Sequence, residues 1–540
     1  MILFRRWIAC AILVTLLPSI SSAYILSTRW GATATNGGGL QFGDPTHITW
    51  SIVPDGTSNA AEGPSDLIDT FDAIFGGGPG GNDLTQRPWF GFFEDAFDRW
   101  SQVSGLSYSY EPNDDGVQSS NDNNPGILGV RGDVRIAGSF QDGQSNVLAF
   151  NFFPNNGDMT LDTGDTIIFG NSANDYRALR NILMHEHGHG IGISHVESNN
   201  ANFLMEPFLA TSFFGPQLDD IRAAHRGYGD FFEKSNNGQG NDQASFATPL
   251  GLINDGQTAM LGTDGANTVV AASDSDFVSI DGSSDTDFYS FMIDAPGTVD
   301  ISLTPQGATY SQGPQGGSQS SFNTADDNNL VLALVDSDET TLLTTNNSGG
   351  AGQTDLISGW SLAQAGEYFV RVTGLQDSMQ FYQLSISVTE DTVVIDVDFN
   401  DDGVYNCADI DDLVAEIAGG GNDVLFDLTG DSTVDAADLE AWLAEAGGVN
   451  LTSGNPYLVG DANLDGVVDG ADFVEWNNNK FTNTAAWCGG DFNADGVVDG
   501  VDFVLWNDNK FNAADHAAVP EPRLALLPLM LMVGYCFRRR

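Results

Sequence analysis

The residues best placed to do chemistry lie in one stretch, MHEHGHGIGISH, which ends at His195. Within it, His185, Glu186, His189, Gly192 and His195 follow the spacing H-E-x-x-H-x-x-G-x-x-H. Four residues apart, His185 and His189 stand one above the other on one face of a helix. Two imidazoles so placed reach a single zinc ion. Gly192 has no Cβ and can take the left-handed conformation that ends a helix and reverses the chain. The turn brings back His195 as a third ligand and leaves the fourth zinc position open to water, as in a catalytic rather than a structural site. Glu186, beside the first ligand, is the residue to accept a proton from that water. Three of the chain's seven histidines occupy pattern positions. His187, between the ligands, is expected on the opposite side of the helix as a polar filler without a role.

Other elements must hold these groups. Thr46 to Val53 reads as a strand, and Phe93, Phe97 and Trp100 fall on one face of a helix that follows the Gly-rich run Gly76 to Gly81. Asp133 to Ala137 and Val147 to Phe153 read as further strands. Ten residues beyond His195, Leu204-Met205-Glu206-Pro207 resembles the Met-turn that lies under the zinc of metzincins. Residues 24–234 as a whole resemble a matrixin, the matrix-metalloproteinase branch of that group. Asp219-Asp220-Ile221-Arg222 with Gly227-Tyr228-Gly229 is similar to the matrixin C-terminal helix, and Pro207 stands where astacins and serralysins carry tyrosine. The resemblance implies an α+β domain with catalytic Zn2+ on His185, His189 and His195, and Glu186 as general base. It implies structural roles for Gly192 and Met205. It also implies an edge strand at 147–153 to which protein or peptide substrates add by main-chain hydrogen bonds. Phe150 and Thr160 stand where matrixins carry histidines for a second, structural zinc, so that site is expected to be missing. Asp158 and Asp162 are left to calcium or to solvent. No cysteine-switch propeptide is recognisable between the leader and the domain.

The chain has 540 residues and a formal net charge of −55, from 74 acidic against 19 basic side chains. That sign excludes nucleic acid as a partner and fits a solvated acidic surface, calcium sites, or both. Abundant glycine and few charged residues favour loop-rich β architecture. Of four cysteines, Cys10 and Cys536 lie in terminal apolar runs. Cys407 and Cys488 remain, and their spacing leaves pairing open.

Residues 1–23 read as a secretory signal, with Arg5-Arg6, an apolar run and Ser21-Ser22-Ala23. Residues 235–244 read as a polar linker. Strands recurring over 245–390 read as a β-sandwich, and Gly366 to Val372 resembles the bacterial pre-peptidase C-terminal domain. Two near copies thirty residues apart then begin at Gly460 and Gly490. Each carries a twelve-residue calcium loop: Asp461, Asn463, Asp465 and Asp472 in one, Asp491, Asn493, Asp495 and Asp502 in the other. Oxygens at alternate positions converge on one ion, and glycine at the sixth permits the turn. A third loop holds Asp398, Asn400, Asp402 and Asp409. A fourth holds Asp427, Thr429, Asp431 and Asp438, with Ser432 in place of the glycine. The loops resemble type I dockerin repeats, which implies structural Ca2+ in small α modules at 394–449 and 457–513 and a cohesin-type partner. Val519-Pro520-Glu521-Pro522, an apolar run and Arg538-Arg539-Arg540 resemble a PEP-CTERM sorting signal over 519–540. This implies transient membrane contact and a final place outside the cell or in the envelope of a bacterium.

The expectation is therefore a multidomain chain: an α+β metzincin catalytic domain, an all-β sandwich, then small α calcium-loop modules. Its function is that of a secreted zinc metalloendopeptidase cleaving extracellular proteins. The alternative is an envelope adhesion or scaffold protein with a vestigial protease domain, which loss of Glu186 or of a histidine ligand would favour; all are present.

Overall fold

The computed structural model describes residues 24–59, 63–119, 124–390 and 396–514. The leader at 1–23 and the sorting signal at 519–540, with Cys10 and Cys536, lie outside the described residues. The chain forms two compact units that divide near residue 391.

In the first unit a five-stranded sheet comprises β1 (Thr46–Ile52), β2 (Leu106–Tyr110), β3 (Val134–Ser139), β4 (Ala149–Asn151) and β5 (Met159–Asp162). The spatial order is β2-β1-β3-β5-β4. All neighbours are parallel except β4, which runs antiparallel to β5 at one edge. Between β1 and β2 come α1 (Leu67–Phe75) and α2 (Phe90–Gln102); after β5 come α3 (Arg177–Gly190), β6 (Val196–Ser198) and α4 (Leu218–Tyr228). The apolar face of α2 is aromatic for a reason of area, since each large ring buries about 150–250 Å2. Phe90, Phe93 and Phe97 lie 5.3, 6.5 and 4.9 Å from the buried Trp50 ring on β1. Trp100, on the same face, donates its indole N–H to the Met184 carbonyl at 3.0 Å and so ties α2 to α3.

The sandwich follows in the same unit. Its strands are β7 (Thr248–Leu252), β8 (Thr258–Leu261), β9 (Val278–Ile280), β10 (Thr286–Ile293), β11 (Gly297–Gln306), β12 (Thr309–Pro314), β13 (Ser320–Asn323), β14 (Leu330–Val335), β15 (Leu342–Asn346), β16 (Asp355–Leu362), β17 (Gly366–Gly374) and β18 (Gln380–Glu390). One sheet runs β7-β10-β17-β14-β15 and the other β8-β18-β11-β16, with β9 also on β18. The alternation of buried and half-buried residues along β11 is that of a strand with one face on a core.

Sandwich and histidine-bearing segment are not separate bodies joined by a tether. Val270, Phe277, Tyr310, Met379 and Phe381 belong to the same apolar core as α2, α3 and α4. Residues 235–244, expected as a polar linker, are packed in part. Asn241 is fully buried, accepts the Phe288 N–H at 2.9 Å, and donates its side-chain amide to the Phe288 carbonyl at 3.3 Å. Polar composition suggested solvent; here backbone groups of Phe288 partner the Asn241 carbonyl and side-chain nitrogen instead.

The second unit contains α5 (Cys407–Gly419), α6 (Ala436–Asn450), α7 (Gly470–Asn479) and α8 (Gly500–Asn509). The two expected modules share one core, running from Val397 through Trp442 and Tyr457 to Val498. Cys407 and Cys488 form a disulfide across 81 residues of chain. The near copies interlock reciprocally. Trp476 donates to the Asp499 carbonyl at 2.8 Å, and Trp506 donates to the Asp469 carbonyl at 2.9 Å. No helix among the described residues is long and apolar enough to cross a membrane.

Candidate metal centre and active site

α3 carries His185 and His189 on one face, and the chain reverses just beyond it. Gly192 has φ +102°, and a Cβ there would overlap the Thr28 carbonyl oxygen. That turn is clamped from outside by Ser27 N–H donating to the Gly192 carbonyl at 2.9 Å and Ser194 N–H donating to the Ile25 carbonyl at 2.8 Å. His195 returns to the helix, and its Nε2 lies 3.1 Å from Nε2 of both His185 and His189.

Each ring is turned by what holds its other nitrogen. His185 Nδ1 meets the Leu204 carbonyl at 2.6 Å, His189 Nδ1 the Ile193 carbonyl at 2.7 Å, and His195 Nδ1 the Gln315 Oε1 at 3.0 Å. All three acceptors are oxygens, so each Nδ1 carries the proton and each Nε2 presents a lone pair. Three lone pairs facing one point repel unless a cation lies between them. Nitrogens about 2.1 Å from a shared zinc, at tetrahedral angles, are about 3.4 Å apart. The donor set and its spacing therefore fit zinc. Burial, then repulsion from His189, pushes His185 down to about 3. Burial pushes His189 down to about 4, so both rings are neutral.

Glu186 is buried beside the first histidine, and burial pushes its carboxyl up to about 8. It opens into a cleft of about 790 Å3. One wall is the edge-strand segment 146–151; the other is formed by Pro207 to Ala210 and Phe213, with Pro314 and Gln315 at the rim; Ile182 and Leu204 also line it. Met205 is fully buried, and a Cβ on Gly188 would overlap its sulfur. The methionine thus packs directly against α3. Asp220 at the start of α4 clamps this turn. Its carboxylate accepts Leu204 N–H at 2.7 Å and Met205 N–H at 3.1 Å, although burial pushes it up to about 7.

Two sequence expectations change. His187 is a core residue, not a filler: it is fully buried, and its Nε2 lies 2.8 Å from the Tyr108 hydroxyl, beside the Phe97 ring. The helix has sheet and α2 on that side, so no solvent is available to a polar filler. Asp158 and Asp162 are buried rather than solvated. Burial disfavours ionisation of Asp162, but the N–H groups of Gln141, Gly164, Asp142 and Gly143 outweigh it and hold the carboxyl below its usual range. Phe150 and Thr160 are direct cross-strand partners, and Thr160 accepts from Asn59 Nδ2 at 2.8 Å.

Two features went unseen in the sequence. Asn181, one turn before His185 on α3, donates to the carbonyls of Ala210 (2.8 Å) and Phe213 (3.0 Å) and accepts Gly215 N–H (3.0 Å). It fixes the cleft's far wall to the active-site helix. Glu233, Asp242 and Asp285 bring three carboxylates close enough to share a cation. No local motif marks either, because Asn181 meets partners 29 to 34 residues away and Asp285 lies 43 residues beyond Asp242.

The four acidic loops share one arrangement. The first aspartate accepts N–H from the fifth and sixth residues: Asp398 from Asp402 and Gly403, Asp427 from Asp431 and Ser432. Asp461 and Asp491 repeat this with Asp465 and Gly466, and with Asp495 and Gly496. The twelfth, Asp409, Asp438, Asp472 or Asp502, is the third helical residue of a capping box and fully buried. Ser432 takes φ +71°, the same left-handed turn as the glycines, so the fourth loop keeps the shape of the others despite its side chain. Asn400, Asn463 and Asn493 each accept N–H from the fifth-position aspartate through their amide oxygen. In all four loops the third residue also gives its N–H to the twelfth aspartate: Asn400 to Asp409, Thr429 to Asp438, Asn463 to Asp472 and Asn493 to Asp502.

Comparison with known proteins agrees with this geometry for two segments. Residues 80–229 match the matrixin family and residues 285–374 the bacterial pre-peptidase C-terminal domain. Matrix metalloproteinase-16 of Homo sapiens and of Mus musculus are each 29% identical over 140 residues, 25% of this chain and 23% of theirs. The match thus spans about a quarter of the length of these relatives. The crystal structure of a pre-peptidase C-terminal domain of collagenase from Bacillus anthracis aligns at 17% identity and a TM-score of 0.16, covering 26% of this chain and 94% of that one. The chain is multidomain, with a matrixin domain followed by a β-rich pre-peptidase C-terminal domain.

Proposed function

We propose that the chain is a zinc metalloendopeptidase that cleaves internal bonds of extracellular proteins. The observation that carries this reading is the convergence of three imidazole Nε2 atoms, that of His195 lying 3.1 Å from each of the other two, next to a buried glutamate in an open cleft. Zinc held by His185, His189 and His195 supplies a Lewis acid that lowers the pKa of water and polarises a carbonyl. The chain's own residues do the rest. The edge of β4 offers main-chain groups to an extended substrate. Leu204 and Phe213 offer an apolar lining to one of its side chains. Glu186 takes the proton of the attacking water and hands it to the leaving amine.

The test separates base from ligand. Glu186→Ala is expected to abolish peptide hydrolysis while zinc stays bound, and His195→Ala to lose the metal. Turnover by Glu186→Ala comparable to the parent would refute the mechanism.

The same reading places the enzyme outside the cytoplasmic membrane, cut at both ends. Its support is the pair of terminal sequence signals. Mass spectrometry of the exported protein checks this, and an intact Arg538-Arg539-Arg540 terminus contradicts it. The acidic loops are proposed as Ca2+ sites of dockerin type, supported by their common twelve-residue geometry.

A further inference from the structure

The third histidine differs from the other two in where its support comes from. His185 and His189 donate Nδ1–H to backbone carbonyls within the catalytic segment, at Leu204 and Ile193. His195 meets instead a side-chain oxygen 120 residues away, Gln315 Oε1, on the turn between β12 and β13 of the sandwich.

This approach is built into the fold. β12 pairs antiparallel with β6, the strand that leaves the metal centre, with Val196 opposite Pro314 and Ser198 opposite Gln312. Together β6, β12 and β13 make a three-stranded sheet that crosses from the catalytic segment to the sandwich. Its base is anchored by Tyr310, which is buried, packs edge-on against Phe203 at 5.3 Å and donates its hydroxyl to Asp219 at 2.6 Å. Its tip is anchored by Gly316 N–H donating to Glu197 at 3.2 Å and by Asn199 N–H donating to Gln319 Oε1 at 3.1 Å. The tip is thus held on both sides of the exposed Gln315, whose side-chain oxygen faces His195.

We propose that Gln315 is a positioning residue of the metal centre, so that the sandwich completes the zinc site of the catalytic segment. This rests on the zinc reading given above. By accepting the Nδ1 proton, Gln315 holds His195 in the tautomer whose Nε2 faces the other two histidines. Loss of an outer partner of a metal-bound imidazole costs about 10- to 100-fold in metal affinity. Because this contact lies at the rim, where water can replace the amide, the lower end of that range, about tenfold, is expected.

The experiment uses the full chain and Zn2+ alone, competed by a chromogenic chelator. Gln315→Leu is expected to bind zinc about tenfold more weakly and to release it at a higher pH on acidification. Gln315→Glu keeps an acceptor and is expected to restore affinity to the parent level or above. Ser318→Ala changes an exposed side chain of the same turn that is neither a tip anchor nor a partner of the histidine, and is expected to leave affinity unchanged. Parent affinity in Gln315→Leu, or a loss that Gln315→Glu does not restore, overturns the assignment. If His195→Ala loses zinc while Gln315→Leu does not, the inference alone falls. If His195→Ala keeps zinc, the reading of the metal centre falls, and the inference with it.

Discussion

Gly192 and Thr28 touch where the chain turns behind the active-site helix: the Gly192 Cα faces the Thr28 carbonyl oxygen with no room for a Cβ. The N-terminal segment is thereby part of the metal centre's scaffold. Trp30 extends the same contact, its indole N–H donating to the Gly190 carbonyl at 2.8 Å. His195 follows this turn by three residues, so any shift there is passed to the third Nε2.

Gly192→Ala is therefore expected to destabilise the first unit by about 2–4 kcal/mol, from left-handed strain plus overlap with Thr28. It should also weaken zinc binding. Denaturant unfolding and chelator competition on the full chain check both. Parent stability and parent affinity together would show that the turn yields without consequence.

A seam of buried acids makes the first unit sensitive to pH. Burial is the first cause at each site. It pushes Glu233 up to about 10, Asp281 to about 7 and Asp230 to about 6, and it raises Asp285 and Asp287 as well. Repulsion between carboxylates adds to the rise at Glu233, Asp285 and Asp287. A carboxyl whose folded pKa is raised binds its proton more tightly when folded. Its contribution is complete below the unfolded value of about 4 and is lost as pH rises through the folded one. In chelator at constant ionic strength, the melting temperature of the first unit should fall from about pH 4 towards pH 10. Asp285→Asn should flatten that fall, since the amide oxygen can still accept the Asp281 N–H now bound by the carboxylate at 2.6 Å. An equal slope in parent and variant would mean that other charges set it.

A disulfide holds the second unit, and bound calcium is proposed as a second, independent device. Closing 81 residues by the Cys407–Cys488 bond contributes about 4–5 kcal/mol in the loop-entropy account. The loop carboxylates, by contrast, repel one another until a cation neutralises them. The segment 396–513 is expected to lose helical circular dichroism in chelator and to regain it with Ca2+. Reduction of the disulfide should deepen the loss. A spectrum indifferent to Ca2+ in both redox states would remove calcium from the account.

What the sequence by itself determined is what short-range geometry dictates. A helix repeats every 3.6 residues, so His185 and His189 had to share a face. Gly192 could reverse the chain, and His195 lay within reach of that reversal. The acidic loops were equally legible, because each draws its oxygens from twelve consecutive residues and caps its own helix. The aromatic face of α2 and the strand at Thr46–Ile52 followed from their periods. Tertiary structure alone decided the rest. It placed Tyr108 against His187, 79 residues on, and closed Cys407 on Cys488. It put Asn181 across the wall of the cleft, merged sandwich and catalytic segment into one core, and brought Gln315 to His195. Such partners depend on which surfaces bury each other. Burial is non-directional and leaves no period or spacing to read. Hydrogen bonds then form wherever the closed surfaces leave a donor facing an oxygen.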